Sequence, residues 1–266
     1  MSPGASAATR PALIDTHCHL DVEEFDPDRD QVLAAARAAG LVGIVVPGIH
    51  AAGWPRLLRL CASAPDLHPA LGLHPIYLAQ HRPEHIGDLE RALSGVRPLA
   101  VGEIGLDFHE PNLDPARQQS LFEAQLALAR AAGLPVLLHV RKAHDRVLAT
   151  LKRSRVCGGI AHAFNGSRQQ AHQYLDLGFR LGFGGMLTFE RSLKLRPLAR
   201  DLPCEAIVME TDAPDLTVAA HRGERNSPAY LPDVLAALAE VRDTDPGELA
   251  AQTTRNACEV LGLEQP

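Results

Sequence analysis

Leu13-Ile14-Asp15-Thr16-His17-Cys18-His19 opens on an apolar pair and closes on two histidines at positions i and i+2. Side chains alternate across an extended strand, so His17 and His19 point one way and Cys18 the other. Two neutral imidazoles aimed at one point begin a metal site. A lone His-x-His also matches by chance, so its meaning depends on whether the rest of the chain brings further ligands to the same place.

Working outward, apolar runs recur along the chain. They are 12–14, 41–47, the weaker 67–73, 99–102, 135–138, 158–161, 179–183 and 206–209. Most are continuous rather than alternating, as strands buried on both faces are. Helical stretches separate them: 28–39, 55–64, 84–93, 115–132, 143–152, 168–177, 191–198, 228–241 and 246–261. Asp114 and Pro115 open one as N-cap and first-turn residue, and Gly40, Gly133 and Gly178 sit where helices close. Eight strand-helix units in 266 residues fit an α/β fold, a single (β/α)8 TIM barrel, which commonly takes about 250 residues. An open doubly wound sheet is the alternative, but its glycine-rich phosphate turn after the first strand is missing. Residues 1–10 are small and polar and are expected to form a disordered tail, leaving 11–266 as the barrel domain.

Composition narrows the function. Hydrophobic residues make up 46% and charged residues 22%, ordinary for a globular protein, and the net charge is -6. An acidic chain is not a nucleic-acid coat, so any such contact needs a local basic patch or bound cations. The five cysteines form no Cys-x-x-Cys pair, which suggests reduced, mostly buried thiols and a cytoplasmic location. No secretory leader and no run of about 18 apolar residues is present, so no membrane partner is expected. The lone Trp54 and 4% aromatics give no stacking platform of the kind many single-strand binders use.

The strand ends carry the chemistry. After the first come His17 and His19, after the third His74, after the fourth Glu103 within Gly102-Glu103-Ile104-Gly105-Leu106-Asp107, after the fifth His139, after the sixth His162, and after the eighth Asp212 within Glu210-Thr211-Asp212. In a barrel the C-terminal strand ends ring the active site. Each residue alone has a structural reading, as a satisfied core histidine or a loop cap. A carboxylate directly after a buried strand needs a partner, and four imidazoles with two carboxylates on one rim point to two divalent ions. Glu103 is the candidate bridge, since ions about 3.5 to 4 Å apart share ligands. The other histidines, His50, His68, His81, His85, His109, His144, His172 and His221, are expected on the solvated surface.

These motifs, with His162-Ala163-Phe164, Glu210-Thr211-Asp212-Ala213-Pro214 and Arg225-Asn226-Ser227-Pro228, resemble in order and spacing the TatD family of metal-dependent hydrolases, TatD-type deoxyribonucleases on an amidohydrolase-like barrel. The resemblance covers residues 12 to 263. It implies a divalent-metal phosphodiesterase acting on DNA, from the 3′ ends of single strands. His17, His19, Glu103 and Asp212 would hold one ion, and Glu103, His139 and His162 the other. Asp212, with Glu103, would be catalytic, Asp212 as general base. His74, Arg141 and Asn226 would contact substrate. Ser227 departs from the family's usual glutamate, and Phe108-His109-Glu110 from its usual aromatic and basic residues.

Arg141, Lys142, Arg222 and Arg225 lie on predicted rim loops and offer local positive charge. The ions implied are Mg2+, Mn2+ or Zn2+; the imidazoles suit zinc or manganese better than magnesium. The same ligand set would serve an esterase, an amidase or an aminoacyl-tRNA deacylase. Oligomeric state is open, with a monomer expected.

Overall fold

Eight strands line up in parallel in the order of the chain: β1 Leu13–Asp15, β2 Leu41–Pro47, β3 Leu67–Leu71, β4 Ala100–Asp107, β5 Val136–Arg141, β6 Gly159–Ala161, β7 Phe179–Phe183 and β8 Ile207–Met209. Each of the seven successive pairs is a parallel ladder. The remaining seam, between β8 and β1, is closed by Thr16 N donating to Met209 O (3.0 Å) and Asp212 N donating to His17 O (2.8 Å). These features come from a computed structural model, which describes residues 11–266; the tail expected over 1–10 lies outside the described residues.

The helices are α1 Arg29–Ala38, α2 Trp54–Ala62, α3 Glu84–Val96, α4 Pro115–Ala132, α5 His144–Ser154, α6 Arg168–Asp176, α7 Leu195–Asp201, α8 Leu231–Arg242 and α9 Pro246–Leu261. Local chemistry sets their ends. Asp114 accepts from Ala116 N and Arg117 N at the start of α4, and Gly133 closes it with φ 66°. Ser167 and Gln170 form a capping box on α6. Two helices start later than the sequence suggests. Pro197 and Pro232 sit in the first turns of α7 and α8. A proline ring clashes with the carbonyl four residues back, so each helix begins just before its proline. Residues 228–230, expected as helix, form a separate 3₁₀ turn.

The core has two layers because successive strand residues face opposite ways. Ile14, Val45, Ala70, Ala100, Leu137, Ile160 and Val208 fill the barrel with Ala257, Cys258 and Leu261 of α9. Their neighbours Leu13, Ile44, Leu71, Val101, Leu138 and Ile207 pack outward against helices, with Phe122, Leu126 and Tyr174. Helix α9 plugs the N-terminal mouth: Thr254 Oγ1 donates to Ala12 O (2.8 Å), and Asn256 Nδ2 to Ile207 O (2.7 Å). With that end sealed, only the C-terminal mouth is left for a site. Among the described residues no helix is long and apolar enough to cross a membrane.

Candidate active site

Strand β4 runs further than its apolar pattern suggests, to Asp107, so Glu103 sits inside the strand rather than after it. Its register against β5 shifts between Val101 and Ile104. Gly105, φ 149°, lets the two strands approach: a Cβ there would lie 1.9 Å from His139 O. Glu103 is 1% exposed, and its two oxygens face different imidazoles. Oε2 lies 3.1 Å from His17 Nε2 and 3.4 Å from His19 Nε2. Oε1 lies 3.0 Å from His139 Nδ1 and 3.2 Å from His74 Nε2.

The segment after β1 is wedged between its neighbours, with Cys18 N on Val45 O (3.0 Å) and His19 N on Ala213 O (2.8 Å). Asp15 clasps it to the end of β8, accepting from Thr211 N (3.0 Å), Thr211 Oγ1 (2.6 Å) and His17 N (3.2 Å). Cys18 points into the core, as strand parity requires. Asp212 takes φ 59°, a left-handed conformation a non-glycine residue adopts at some cost, often at functional sites. Its Oδ1 lies 3.8 Å from His17 Nε2 and 3.7 Å from His19 Nε2, and Oδ2 lies 3.6 Å from His162 Nε2.

All six expected ligand residues thus reach one mouth, but in a different grouping. Donor atoms fall within 4.8 Å of one another in three sets: His17, His19 and Asp212; His74, Glu103 and His139; and His17, His162 and Glu210. His162 stacks on His17, ring centroids 3.6 Å apart, and its Nε2 lies 3.6 Å from Asp212 Oδ2. His74 enters the Glu103 set.

Two carboxylates stand behind the histidines. Asp107, fully buried, has Oδ2 2.9 Å from His139 Nε2, while Oδ1 accepts from His109 N (2.8 Å) and Glu110 N (3.2 Å). Glu210 Oε1 accepts from Ala163 N (2.6 Å) and lies 3.0 Å from His162 Nδ1, without hydrogen-bond alignment. Gly182 leaves room for Glu210: a Cβ there would meet Glu210 Oε2 at 2.1 Å. Sequence reasoning quoted both residues without assigning them. For Asp107 the signal was parity, since it is four residues from Glu103 on the same strand.

Charge and burial compete throughout. Burial alone would raise the Glu103 carboxyl, but His74, His17 and His139 outweigh it and hold it well below the usual carboxylate range. Asp212 is lowered the same way, chiefly by His162 against its own burial. Asp107 is held at about 2 by His139 and backbone donors, again against desolvation. Burial pushes His74 down to about 4 and also lowers His17, helped there by His162. Glu210 and Asp212 overcome burial to raise His162 well above its ordinary value. The carboxylates stay ionised at neutral pH, and convergent carboxylate and imidazole donors are the chemistry a divalent cation requires. His17 Nδ1, His162 Nδ1 and Glu210 Oε2, all buried, make no hydrogen bond.

The mouth is a cavity of about 620 Å³, walled by Ile49, Ile76, Tyr77, Phe164, Met186 and Leu216 around the polar cluster. Arg141 lines it, its guanidinium 3.8 Å from Glu110 Oε1. Asn226 is 1% exposed, and its amide is committed to Thr211 O (2.8 Å), Asp215 O (2.6 Å) and Ser227 N (2.8 Å). Arg225 is likewise committed, paired with Asp28 at 2.7 Å and stacked on Phe25. Ser227, in place of a glutamate, caps the following turn through Oγ and Ala229 N. The expectation that the remaining histidines are solvated fails for His81, His85 and His144, which are buried. His144 accounts for its burial, contacting Tyr174 Oη (3.2 Å) and Asn165 Oδ1 (3.1 Å).

Residues 14–262 match the family model described as "TatD related DNase". The chain belongs to the TatD family. It is therefore a metal-dependent hydrolase by family. It is 39% identical over 247 residues to the uncharacterized metal-dependent hydrolase YjjV of Escherichia coli K12, covering 92% of this chain and 95% of that one. It is 35% identical over 259 residues to the 3′-5′ ssDNA/RNA exonuclease TatD of Klebsiella pneumoniae, covering 95% and 98%. The crystal structure of the Escherichia coli TatD homolog YJJV superposes with a TM-score of 0.91 at 37% identity, covering 95% of this chain and 98% of that one.

Within this TatD site, Asp107 orients the His139 ring. Replacing it with Asn leaves one oxygen to serve both the imidazole and the backbone donors. Asp107→Asn is expected to weaken divalent-ion affinity by about 10- to 100-fold, the usual cost of losing a carboxylate behind a metal-binding histidine. Calorimetric titration of the variant with Mn2+ or Zn2+ measures it; unchanged affinity would remove Asp107 from the site.

Proposed function

We propose that this chain hydrolyses phosphodiester bonds at the 3′ ends of single-stranded nucleic acid, with two divalent ions held at the barrel mouth. The observation that carries the reading is Glu103, whose two oxygens face two separate pairs of imidazoles, as a bridging carboxylate must. His17, His19 and Asp212 would hold one ion with Glu103 Oε2. His139 would hold the other with Glu103 Oε1, and His74 is the nearest further nitrogen there. His162 stands over the Asp212 side and reaches the pair through that carboxylate. Bound divalent ions supply neutralisation of the phosphate charge and bring the pKa of a bound water toward about 7.

The chain's own groups do the rest. Asp212, kept ionised, accepts the proton as water attacks phosphorus; the P–O3′ bond breaks and the departing O3′ takes a proton from solvent. His162 lies between two carboxylates, its Nδ1 3.0 Å from Glu210 Oε1 and its Nε2 3.6 Å from Asp212 Oδ2. Arg141, at the end of β5, is the cation on the cavity lining that meets the remaining phosphates. The printed activity of the Klebsiella pneumoniae relative supports the substrate class.

The test is turnover by purified protein reconstituted with Mg2+, Mn2+ or Zn2+ on 3′-labelled single-stranded DNA and RNA, beside a panel of carboxylic esters, amides and aminoacyl-tRNA. Mononucleotide release that stops with chelator is expected. Cleavage of the esters or amides with no attack on nucleic acid would replace this reading with the acyl-hydrolase alternative, which the same ligands allow.

A further inference from the structure

The charge around the mouth is divided between opposite sides of the ring. Glu24 follows β1 and Asp215 follows β8, adjacent across the closing seam, and both line the cavity. Arg141 ends β5 and lines the cavity, its guanidinium 3.8 Å from Glu110. In an eight-strand ring that runs in chain order, β5 lies directly across from β1.

The acidic side is a built feature. Arg225 donates to the backbone carbonyl of Glu24 and pairs with Asp28. The next residue, Asn226, donates to the backbone carbonyl of Asp215 (2.6 Å), and its own N–H to Pro214 O (2.9 Å). One turn therefore bolts two loops from opposite ends of the sequence into a single lip. The carboxylates themselves are left exposed. Beside them stand Ile76, Tyr77 and Leu216, an apolar wall.

An internal phosphodiester carries further phosphates on both sides. A terminal one carries them on one side only, with an uncharged nucleoside on the other. We propose that the Glu24–Asp215 lip is an end stop: it admits the terminal nucleoside against Ile76, Tyr77 and Leu216, repels a continuing phosphate chain, and so confines cleavage to strand ends, the chain leaving over Arg141. The acids are specificity-determining, and the apolar wall gives the nucleoside its place. The inference rests on the nucleic-acid reading above. Juxtaposed like charges cost enough to reject a substrate.

The experiment compares a linear single-stranded DNA with the same sequence circularised, using the Mn2+-loaded protein and its Glu24→Gln/Asp215→Asn double variant. Both positions are exposed, so folding is preserved, as thermal melting checks. Wild-type protein is expected to favour the linear form by about 100-fold or more, and the double variant to raise the circular-to-linear ratio by at least about tenfold. A wild type that cuts circles as fast as linear strands overturns the proposal, as does a double variant whose ratio does not move; in both cases linear digestion leaves the nuclease reading intact. Failure of the wild type to digest either form defeats that reading and the end stop together.

Discussion

Glu103→Gln is expected to lower kcat/KM by at least about a thousandfold, equivalent to ~4 kcal/mol at 1.36 kcal/mol per factor of ten. The substitution keeps the shape of the side chain and removes its charge and half its acceptors. In the native site each oxygen lies within 3.4 Å of two imidazole nitrogens. A glutamine must turn its NH2 toward one of those pairs, so one set of ligands loses its shared anion whichever way the amide flips. With the residue 1% exposed, water cannot make up the loss. Elemental analysis should show fewer bound ions per chain in parallel with the lost rate. A variant that retains two ions and wild-type turnover would show that Glu103 does not bridge.

Asp212→Asn tests a different role. The carboxylate contacts three imidazoles and is kept ionised by His162 against its own burial. An amide cannot take a proton, so kcat should fall by about 10²- to 10⁴-fold, the usual contribution of a general base. The sign of the pH dependence follows. A depressed carboxyl is already ionised across the neutral range, so it is not what makes the wild-type rate change between roughly pH 6 and 9. In the variant, hydroxide replaces the missing base, and the residual rate should rise about tenfold per pH unit. A variant with the wild-type pH profile and rate would reassign proton transfer elsewhere.

The parts of this molecule legible in the sequence share a short range. Strand positions followed from continuous apolar runs, and helix ends from Asp114 and Gly133. The ligand residues followed from what terminates each run. The misreadings have a local cause too. Pro197 and Pro232 delay two helices through a clash one turn back, a rule that single-residue propensity overlooks. His81, His85 and His144 looked exposed because their buried partners, such as Tyr174 and Asn165 for His144, lie elsewhere in the chain. Asp107 and Glu210 were visible as carboxylates, but their partners were not.

By itself the sequence determined the identity of the donors and the alternation of strands and helices, because these depend on residue type and on patterns within a few residues. Only the tertiary structure decided which oxygen of Glu103 meets which imidazole, that His162 stacks on His17, and that Arg225 and Asn226 hydrogen-bond the backbone carbonyls of Glu24 and Asp215. Those relations arise when the ring closes between β8 and β1 and joins residues nearly two hundred positions apart, as Thr211 and Asp15 are. Closure of that kind is a property of the packed barrel, and no local pattern encodes its angstrom-scale register.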